Sequence, residues 1–581
     1  MKKHYSFILI LTVFFGVSTF YSQETEFLPK YLTENEKSII ADFQFFGTRV
    51  TPPPTSPVRT SAQWEEVEYL VIRWTSGFQN IQRQIVQAAV EECKVLIVTQ
   101  NQTSVQNYLV ANGVDMTNVE FLNAPTDSIW IRDYAGNTVY TDDVGERALV
   151  DWIYNRPRPL DNVLPTQHAN YLGIPIYITD TAPNDLVNTG GNFMSDGLGT
   201  AFASHLITIE NQAGNPYGVS AKTEAQIDDI MEAYMGLERY IKMTVLPYDG
   251  IHHIDMHMKL LDEETILVSK YPEGVADGPQ IQENIEYVTS TFQTSFGNDY
   301  IIKWIDAPPS SNGNYPDTGG AYRTYTNSVI INKTILVPTY RPDVDIPALA
   351  LLEELMPGYT IVGIDVDNSG ENLISQGGAL HCITHTIGVA DPLLIVHEQI
   401  RESNTAVNIP VDALIKHISG IAQAKVFWRV AGEENFEEAS MSFETNDIWT
   451  ANLTVPSNAE EVEYYIWAQA NSGKSLARPL VAPEGFWTFT INNLSIEDWA
   501  ANNILGPYPN PANTEVSFNL KNIGDQVNIT VHSILGQKLY ENTIESGNGK
   551  ITLNLNQDWQ GMLFVTFSGE FGKVHKKVLK L

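Results

Sequence analysis

Between Trp64 and about Glu398 the sequence repeats one order of elements: helix, strand, polar loop, strand. Val67–Trp74 is expected as a strand, and Gln79–Cys93 carries apolar residues at helical spacing (Ile81, Ile85, Ala88, Ala89). Val95–Thr99 is expected as a buried strand. Helices are expected again at Ala225–Tyr240, Ile281–Phe296 and Ile346–Met356, each followed by a strand, at Lys242–Pro247, Tyr300–Ile305 and Thr360–Asp365. Further strands are expected at Thr265–Val268, Tyr325–Asn332 and Thr334–Val337, with His252–Lys259 a polar strand or loop. The tetrapeptide Thr-Ile-Leu-Val stands at 265 and again at 334, 69 residues on, close to the length of a ββαβ unit. Units of that kind bury their apolar faces against one another, so modules around a centre are expected. A doubly wound sheet would carry a glycine-rich first strand–helix turn, and none is evident near the start.

With 581 residues the chain is long enough for about two to four domains. Residues 61–398 form the expected α/β domain. Beyond 399 the texture changes to short alternating strands, Val426–Val430, Trp449–Val455, Glu463–Ala470 and Phe486–Ile491, which read as an immunoglobulin-like β-sandwich over 399–495. Residues 500–581 form a small all-β module with strands at Val527–Val531, Ile551–Leu555 and Gly561–Phe567 and a basic tail from Lys573 to Leu581. At the other end, Met1-Lys2-Lys3-His4 and the apolar stretch Phe7–Val17 read as a secretory leader over 1–23. That stretch is too short to span a bilayer comfortably, and no later stretch looks transmembrane. Residues 24–60 are polar and run into Thr51-Pro-Pro-Pro-Thr-Ser-Pro57, which reads as a propeptide, a tether or an extended edge segment. The formal net charge is −34, with 35 basic against 69 acidic residues. Such a surface repels phosphate backbones, which argues against a nucleic-acid partner, and it favours the approach of cationic substrates.

The chain has two cysteines. Cys93 ends a helix-like segment and reads as packing, although it could in principle pair with Cys382. Cys382 lies in Gly377-Gly-Ala-Leu-His-Cys-Ile-Thr-His385, where the glycines allow close approach of a ligand. A lone cysteine in a polar loop of an exported chain is a candidate nucleophile. Upstream stand Asp127-Ser-Ile-Trp-Ile-Arg-Asp133, Tyr154-Asn-Arg-Pro-Arg-Pro159, Ile251-His-His-Ile-Asp255 and Asn327 in Tyr325-Thr-Asn-Ser328. Each alone is more readily a satisfied polar group or a cap. Together they suit one chemistry. Two carboxylates grip a planar guanidinium, a thiolate attacks its central carbon, and a histidine protonates the departing nitrogen. An imidazolium and the substrate's own charge would favour the thiolate. In His253-Ile254-Asp255 an extended backbone would point residues 253 and 255 the same way. In Arg156-Pro-Arg158-Pro the prolines would hold the segment extended, with both arginines projecting. Two cations beside a cation site make sense if they meet a carboxylate on the same molecule, as a C-terminal arginine has and agmatine lacks.

These motifs, with Gly190-Gly-Asn-Phe-Met-Ser-Asp-Gly197, closely resemble those of bacterial peptidylarginine deiminases, within the agmatine deiminase-like branch of the guanidino-modifying superfamily. The resemblance spans about residues 64 to 395. It implies a five-bladed α/β-propeller with Cys382 as nucleophile and His253 as general acid and base. It further implies Asp133 and Asp255 as guanidinium ligands, Asn327 as a supporting group and Trp130 as a wall along the substrate stem. Arg156 and Arg158 would hold the C-terminal carboxylate of an arginine-containing peptide. The adjacent His252 competes for the role of His253, though the His-x-Asp spacing favours the latter. No metal or cofactor is implied, and catalysis is expected without calcium. The last module resembles a type IX secretion sorting domain through Tyr508-Pro-Asn-Pro-Ala512, Gly536 and Gly561-Met-Leu-Phe564, which implies the type IX machinery as a partner and a secreted or cell-surface location. The sandwich matches the family's middle domain. Agmatine or free-arginine deimination, an inactive surface adhesin and, last, a cysteine protease are the alternative readings.

Overall fold

The computed structural model describes residues 27–45, 51–456, 459–492, 503–521, 523, 526–545, 549–569 and 571–581. The leader expected at 1–23 lies outside them. The protein is a mixed α/β chain of two compact units. One comprises the residues up to Leu394 with Lys416–Ile421 and Ala470–Gly485, and the other the remaining residues from Ile395 onward.

Among the described residues the first unit holds five small sheets, and one order of elements builds them all. Met258–Leu260 pairs antiparallel with Thr265–Lys270, helix Gly278–Thr291 crosses over, and Ile301–Asp306 pairs parallel with the middle strand. Val329–Ile331, Thr334–Thr339, helix Pro342–Leu355 and Thr360–Asp365 repeat the order. Met194–Ser195, Thr200–Ser204, helix Glu224–Met235 and Arg239–Met243 do so again. Asn137–Thr141, Arg147–Tyr154, helix Leu164–Leu172 and Ile176–Thr179 form the fourth set. In the fifth, Val67–Arg73 is the middle strand, helix Gln79–Ala89 leads to Lys94–Val98, and the antiparallel partner is Thr384–Gly388 from the far end of the region. The repeated Thr-Ile-Leu-Val thus opens the middle strand of two sheets, at Thr265 and at Thr334. Those strands are buried along most of their length, as strands flanked by crossover helices are.

Several boundaries differ from the sequence reading. The helix expected to reach Tyr240 stops at Met235, because Gly236 takes a left-handed conformation (φ 70°) and its N–H returns to the Glu232 carbonyl. The next strand therefore begins at Arg239 rather than Lys242. The strand expected over Tyr325–Asn332 shrinks to Val329–Ile331, leaving the polar residues before it in an irregular turn. The described part of the leading segment agrees with the edge-segment reading. Thr33 and Glu36 form a reciprocal cap on helix Glu34–Ile39, and Val58–Thr60 is an edge strand against Asn137–Thr141.

In the second unit, Ile409–Lys416 pairs with Ile448–Leu453, and Glu461–Ala470 pairs with Trp487–Ile491. The alternating burial of Glu461–Ala470 is that of a strand with one face on a core. The expected basic tail is instead the strand Gly572–Lys580, antiparallel to Gly561–Gly569. Its period of two turns Val574 and Val578 into a cluster with Val531, Leu563 and Val565 while Lys573 and Lys577 stay exposed.

A Cβ at Gly236 would strike the Val58 carbonyl. Gly236→Ala is therefore expected to cost about 2–4 kcal/mol in thermal or denaturant unfolding, against about 1 kcal/mol for Gly113→Ala. Gly113 shares the left-handed backbone but faces open space.

Candidate active site

In each sheet the short turn before the strand that pairs antiparallel with the middle strand carries one site position. Asp133 lies in Ile131–Tyr134, Gly191 in Gly190–Asn192 and Asp255 in Ile254–Met256. Cys382 lies in His381–Ile383, and Asn327 in the irregular turn before Val329. Dissimilar stretches of sequence thus deliver their side chains from corresponding places.

Cys382 is a buried free thiol, as is Cys93, so the two do not pair. The Asn327 amide nitrogen lies 3.3 Å from Cys382 Sγ and Asp255 Oδ2 lies 3.6 Å from it. Asp255 Oδ2 also meets His381 Nδ1 at 2.8 Å. His253 is fully buried, with Nδ1 3.5 Å from Asp133 Oδ1, and neither of its ring nitrogens makes a hydrogen bond. His252 is only half-buried and takes a positive φ of 61°. The pair His253 and Asp255 comes together at the start of a 3-10 turn, not on the extended stretch the spacing suggested. Two glycines make room. A Cβ at Gly378 would stand 2.8 Å from both Cys382 Sγ and the Trp130 ring, and one at Gly191 would strike His253.

The sequence reading missed Lys30. Its Nζ sits 2.8 Å from Cys382 Sγ, 3.9 Å from Asp133 Oδ1 and 3.8 Å from Asp255 Oδ1, with the side chain wholly buried. The main chain around it is read group by group. Trp130 Nε1 donates to the Leu28 carbonyl (2.9 Å), Arg158 Nη2 to that of Pro29 (2.7 Å) and Arg156 Nε to that of Lys30 (3.1 Å). The Lys30 N–H donates to the Gln376 carbonyl at 2.9 Å. Arg158 also pairs with Glu36 at 2.7 Å. The Arg-Pro-Arg segment is not extended. The Arg158 N–H returns to the Arg156 carbonyl at 2.8 Å, a three-residue turn that suits the fixed φ of the intervening Pro157. Both arginines are buried.

The electrostatics follow from burial. Burial would raise the Asp255 carboxyl, but Lys30 and then His381 hold it below the usual carboxylate range. Burial raises Asp133, against the pull of Lys30. Burial would lower the Lys30 ammonium, but Asp133 and Asp255 keep it above its usual value and charged. Burial, then Asp255, pushes the Cys382 thiol up to about 12. Burial and the nearby Lys30 charge hold His253 well below its usual range, hence neutral near pH 7. The imidazolium expected to favour a thiolate is therefore absent from this state, and the cation beside the sulfur is the lysine. Three further buried groups escaped the sequence reading. His381 is lowered by burial, then by Arg132, to about 3, and Lys259 by burial, then by Arg132, to about 7. Arg132 donates to the His381 carbonyl at 3.3 Å. Among the described residues no cluster of three or more His, Cys, Asp or Glu side chains is arranged to hold a metal ion, and no helix is long and apolar enough to cross a membrane.

Thiol, imidazole and two carboxylates gathered around one cation position are the groups that guanidinium chemistry calls for, and here the Lys30 ammonium fills that position. The family model for Porphyromonas-type peptidyl-arginine deiminases matches residues 59–387, more than half of the chain, and the chain belongs to that family. Agmatine and peptidyl-arginine deiminases are hydrolases that act on C–N bonds of guanidino groups. A secretion system C-terminal sorting domain matches residues 507–580 and indicates export. A Yersinia pseudotuberculosis protein named "Putative agmatine deiminase" is 26% identical over 301 residues, covering 47% of this chain and 78% of its own. A Marinomonas protein of the same name is 22% identical over 377 residues, 59% of this chain and 97% of its own. A solved structure described as a "putative agmatine deiminase" superposes with a TM-score of 0.51 at 18% identity, covering 59% of this chain and 100% of its own. That of C. jejuni agmatine deiminase gives 0.48 at 22% identity, covering 59% and 99%.

Gly191→Ala is expected to lower kcat/KM for deimination roughly a hundredfold, the scale of a misplacement of about an ångström at a reacting group, and to lower the melting temperature as well, because both side chains it meets are fully buried. The added methyl would press on His253 and on Asp133 Oδ1, 2.9 Å away.

Proposed function

We propose that the protein converts peptidyl arginine to citrulline and ammonia, favouring arginine at a peptide C-terminus. The observation that carries this reading is the buried cation held against Cys382 Sγ and between two carboxylates, with Arg156 on the adjoining main-chain carbonyl. A guanidinium in that place would be gripped by Asp133 and Asp255. The neutral His253 takes the thiol proton as Cys382 Sγ attacks the guanidinium carbon, and the electron pair of the C=N bond moves onto nitrogen. His253 delivers a proton to the departing nitrogen, which leaves as ammonia. Water then attacks the thiouronium carbon, His253 takes its proton, and the carbon–sulfur bond breaks to restore the thiol and leave a urea. Asn327 steadies Asp255 through the main-chain carbonyl of that residue, to which its amide donates at 3.2 Å. Trp130 walls the aliphatic stem.

Arg156 and Arg158 are the specificity groups in this reading. In a peptide ending in arginine the α-carboxylate takes the place of the Lys30 carbonyl and gains a charge-assisted bond to Arg156. Agmatine has neither carbonyl nor carboxylate to offer. In the same reading the five sheets are the blades of a propeller, 61–398 is the catalytic domain, 399–495 an immunoglobulin-like sandwich and 500–581 the sorting module that directs the chain to the type IX machinery. Turnover needs no calcium.

The test is citrulline formation by the Lys30→Ala chain, whose pocket is free of the lysine. Substrates are a peptide ending in arginine, its C-terminal amide, agmatine and free arginine, each with and without EDTA. The acid peptide is expected to lead the amide by about tenfold or more, the scale of one buried charged hydrogen bond, in either buffer. Arg156→Ala should erase that preference, and a further Cys382→Ala should abolish turnover. A lead for agmatine overturns the substrate, and loss of activity in EDTA overturns the calcium-free reading.

A further inference from the structure

The residues that lead into the first unit run through the candidate site. Leu28, Pro29 and Lys30 each give a carbonyl to a side chain assigned above to substrate binding: Trp130, Arg158 and Arg156. The Lys30 side chain fills the cation position, and its N–H is also taken, by Gln376. Phe27 packs edge-on against both Phe78 and Trp130. Downstream, Glu36 on helix Glu34–Ile39 pairs with Arg158, so the segment is latched on the far side of the lysine as well. Cys382, His253, Asp133 and Asp255 are each no more than 1% exposed with the segment in place.

We propose that Phe27–Glu36 is a built-in pseudosubstrate that keeps the site latent until the segment leaves. Lysine suits that task chemically. Its ammonium satisfies two carboxylates as a guanidinium would, yet it has no electron-poor carbon for the thiol to attack and no C–N bond to a leaving amine on such a carbon. The occupant is held like substrate and cannot be turned over. Being part of the chain, it competes at an effective concentration on the order of millimolar, so a peptide substrate meets a site already taken. The lysine also sits against the sulfur itself, which closes Cys382 to other electrophiles. This proposal rests on the guanidine-binding role given to Asp133 and Asp255.

The experiment compares the full chain with its Lys30→Ala and Glu36→Ala variants. Iodoacetamide labelling of Cys382 is followed by peptide mass spectrometry, and citrulline formation is measured in parallel. Cys93, buried and remote in sequence from the site, serves as the internal control for folding. Lys30→Ala is expected to speed Cys382 labelling and citrulline formation by about tenfold or more, with Cys93 still protected. Glu36→Ala, which only loosens the latch, should raise both to a smaller extent. If Lys30→Ala exposes Cys93, the Glu36→Ala chain decides. Labelling of Cys382 at the wild-type rate in a variant that protects Cys93 overturns the proposal. Equal citrulline formation by the wild-type chain and both variants also overturns it and leaves the deiminase reading intact. Faster labelling with no citrulline from any guanidine upholds the latent site and overturns the deiminase reading instead.

Discussion

Two carboxylates, Asp133 and Asp255, are buried around one ammonium, 3.9 and 3.8 Å from Lys30 Nζ, and Asp255 lies 3.6 Å from the Cys382 thiol. Removing such charges from water costs several kcal/mol each unless a cation joins them. Everything else about the site answers to that cost. Asp255 is relieved by His381 and Lys30, and Asp133 by Lys30. A free oxygen remains on each, without a hydrogen bond, on the side where the ammonium sits. A pocket of this kind is a vacancy for a cation held open by the fold. The protein's own lysine fills it.

The fold holds the vacancy open by repetition. Five sheets of like order each present a turn before the strand antiparallel to their middle strand, and the candidate site is assembled from those five turns. The strands need only keep their burial patterns, so the turns are free to differ. One carries a carboxylate, one a glycine without a side chain, one a histidine followed by a carboxylate, one an amide and one the thiol. The glycine position is as specific as the others, because any side chain at Gly191 would occupy the space of His253.

Much of this is legible in the order of the amino acids. Apolar spacing locates the helices, and the Thr-Ile-Leu-Val repeat marks two corresponding strands. Polar residues that a core has no use for mark Asp133, His253, Asp255, Asn327 and Cys382 as a set. The errors have local causes. Gly236 ends a helix that periodicity alone would extend, and a run of lysines hides the valines that make Gly572–Lys580 a strand. The Arg-Pro-Arg segment suggests a rod, but one proline at the centre of a three-residue turn folds it back.

From the sequence by itself follow the class of chemistry, the candidate thiol and the residue types gathered around it, because such groups in polar, glycine-opened loops betray themselves by composition. Which charge meets which is different. Lys30 lies 352 positions from Cys382, in a segment whose composition reads as a tether. No periodicity or motif ties a lone lysine to a distant thiol, since that contact exists only once five separate turns have built the pocket it enters. The neutral state of His253 and the raised thiol of Cys382 are likewise properties of burial. Only the tertiary structure decided them, because a charge is made costly by the packing that excludes water around it.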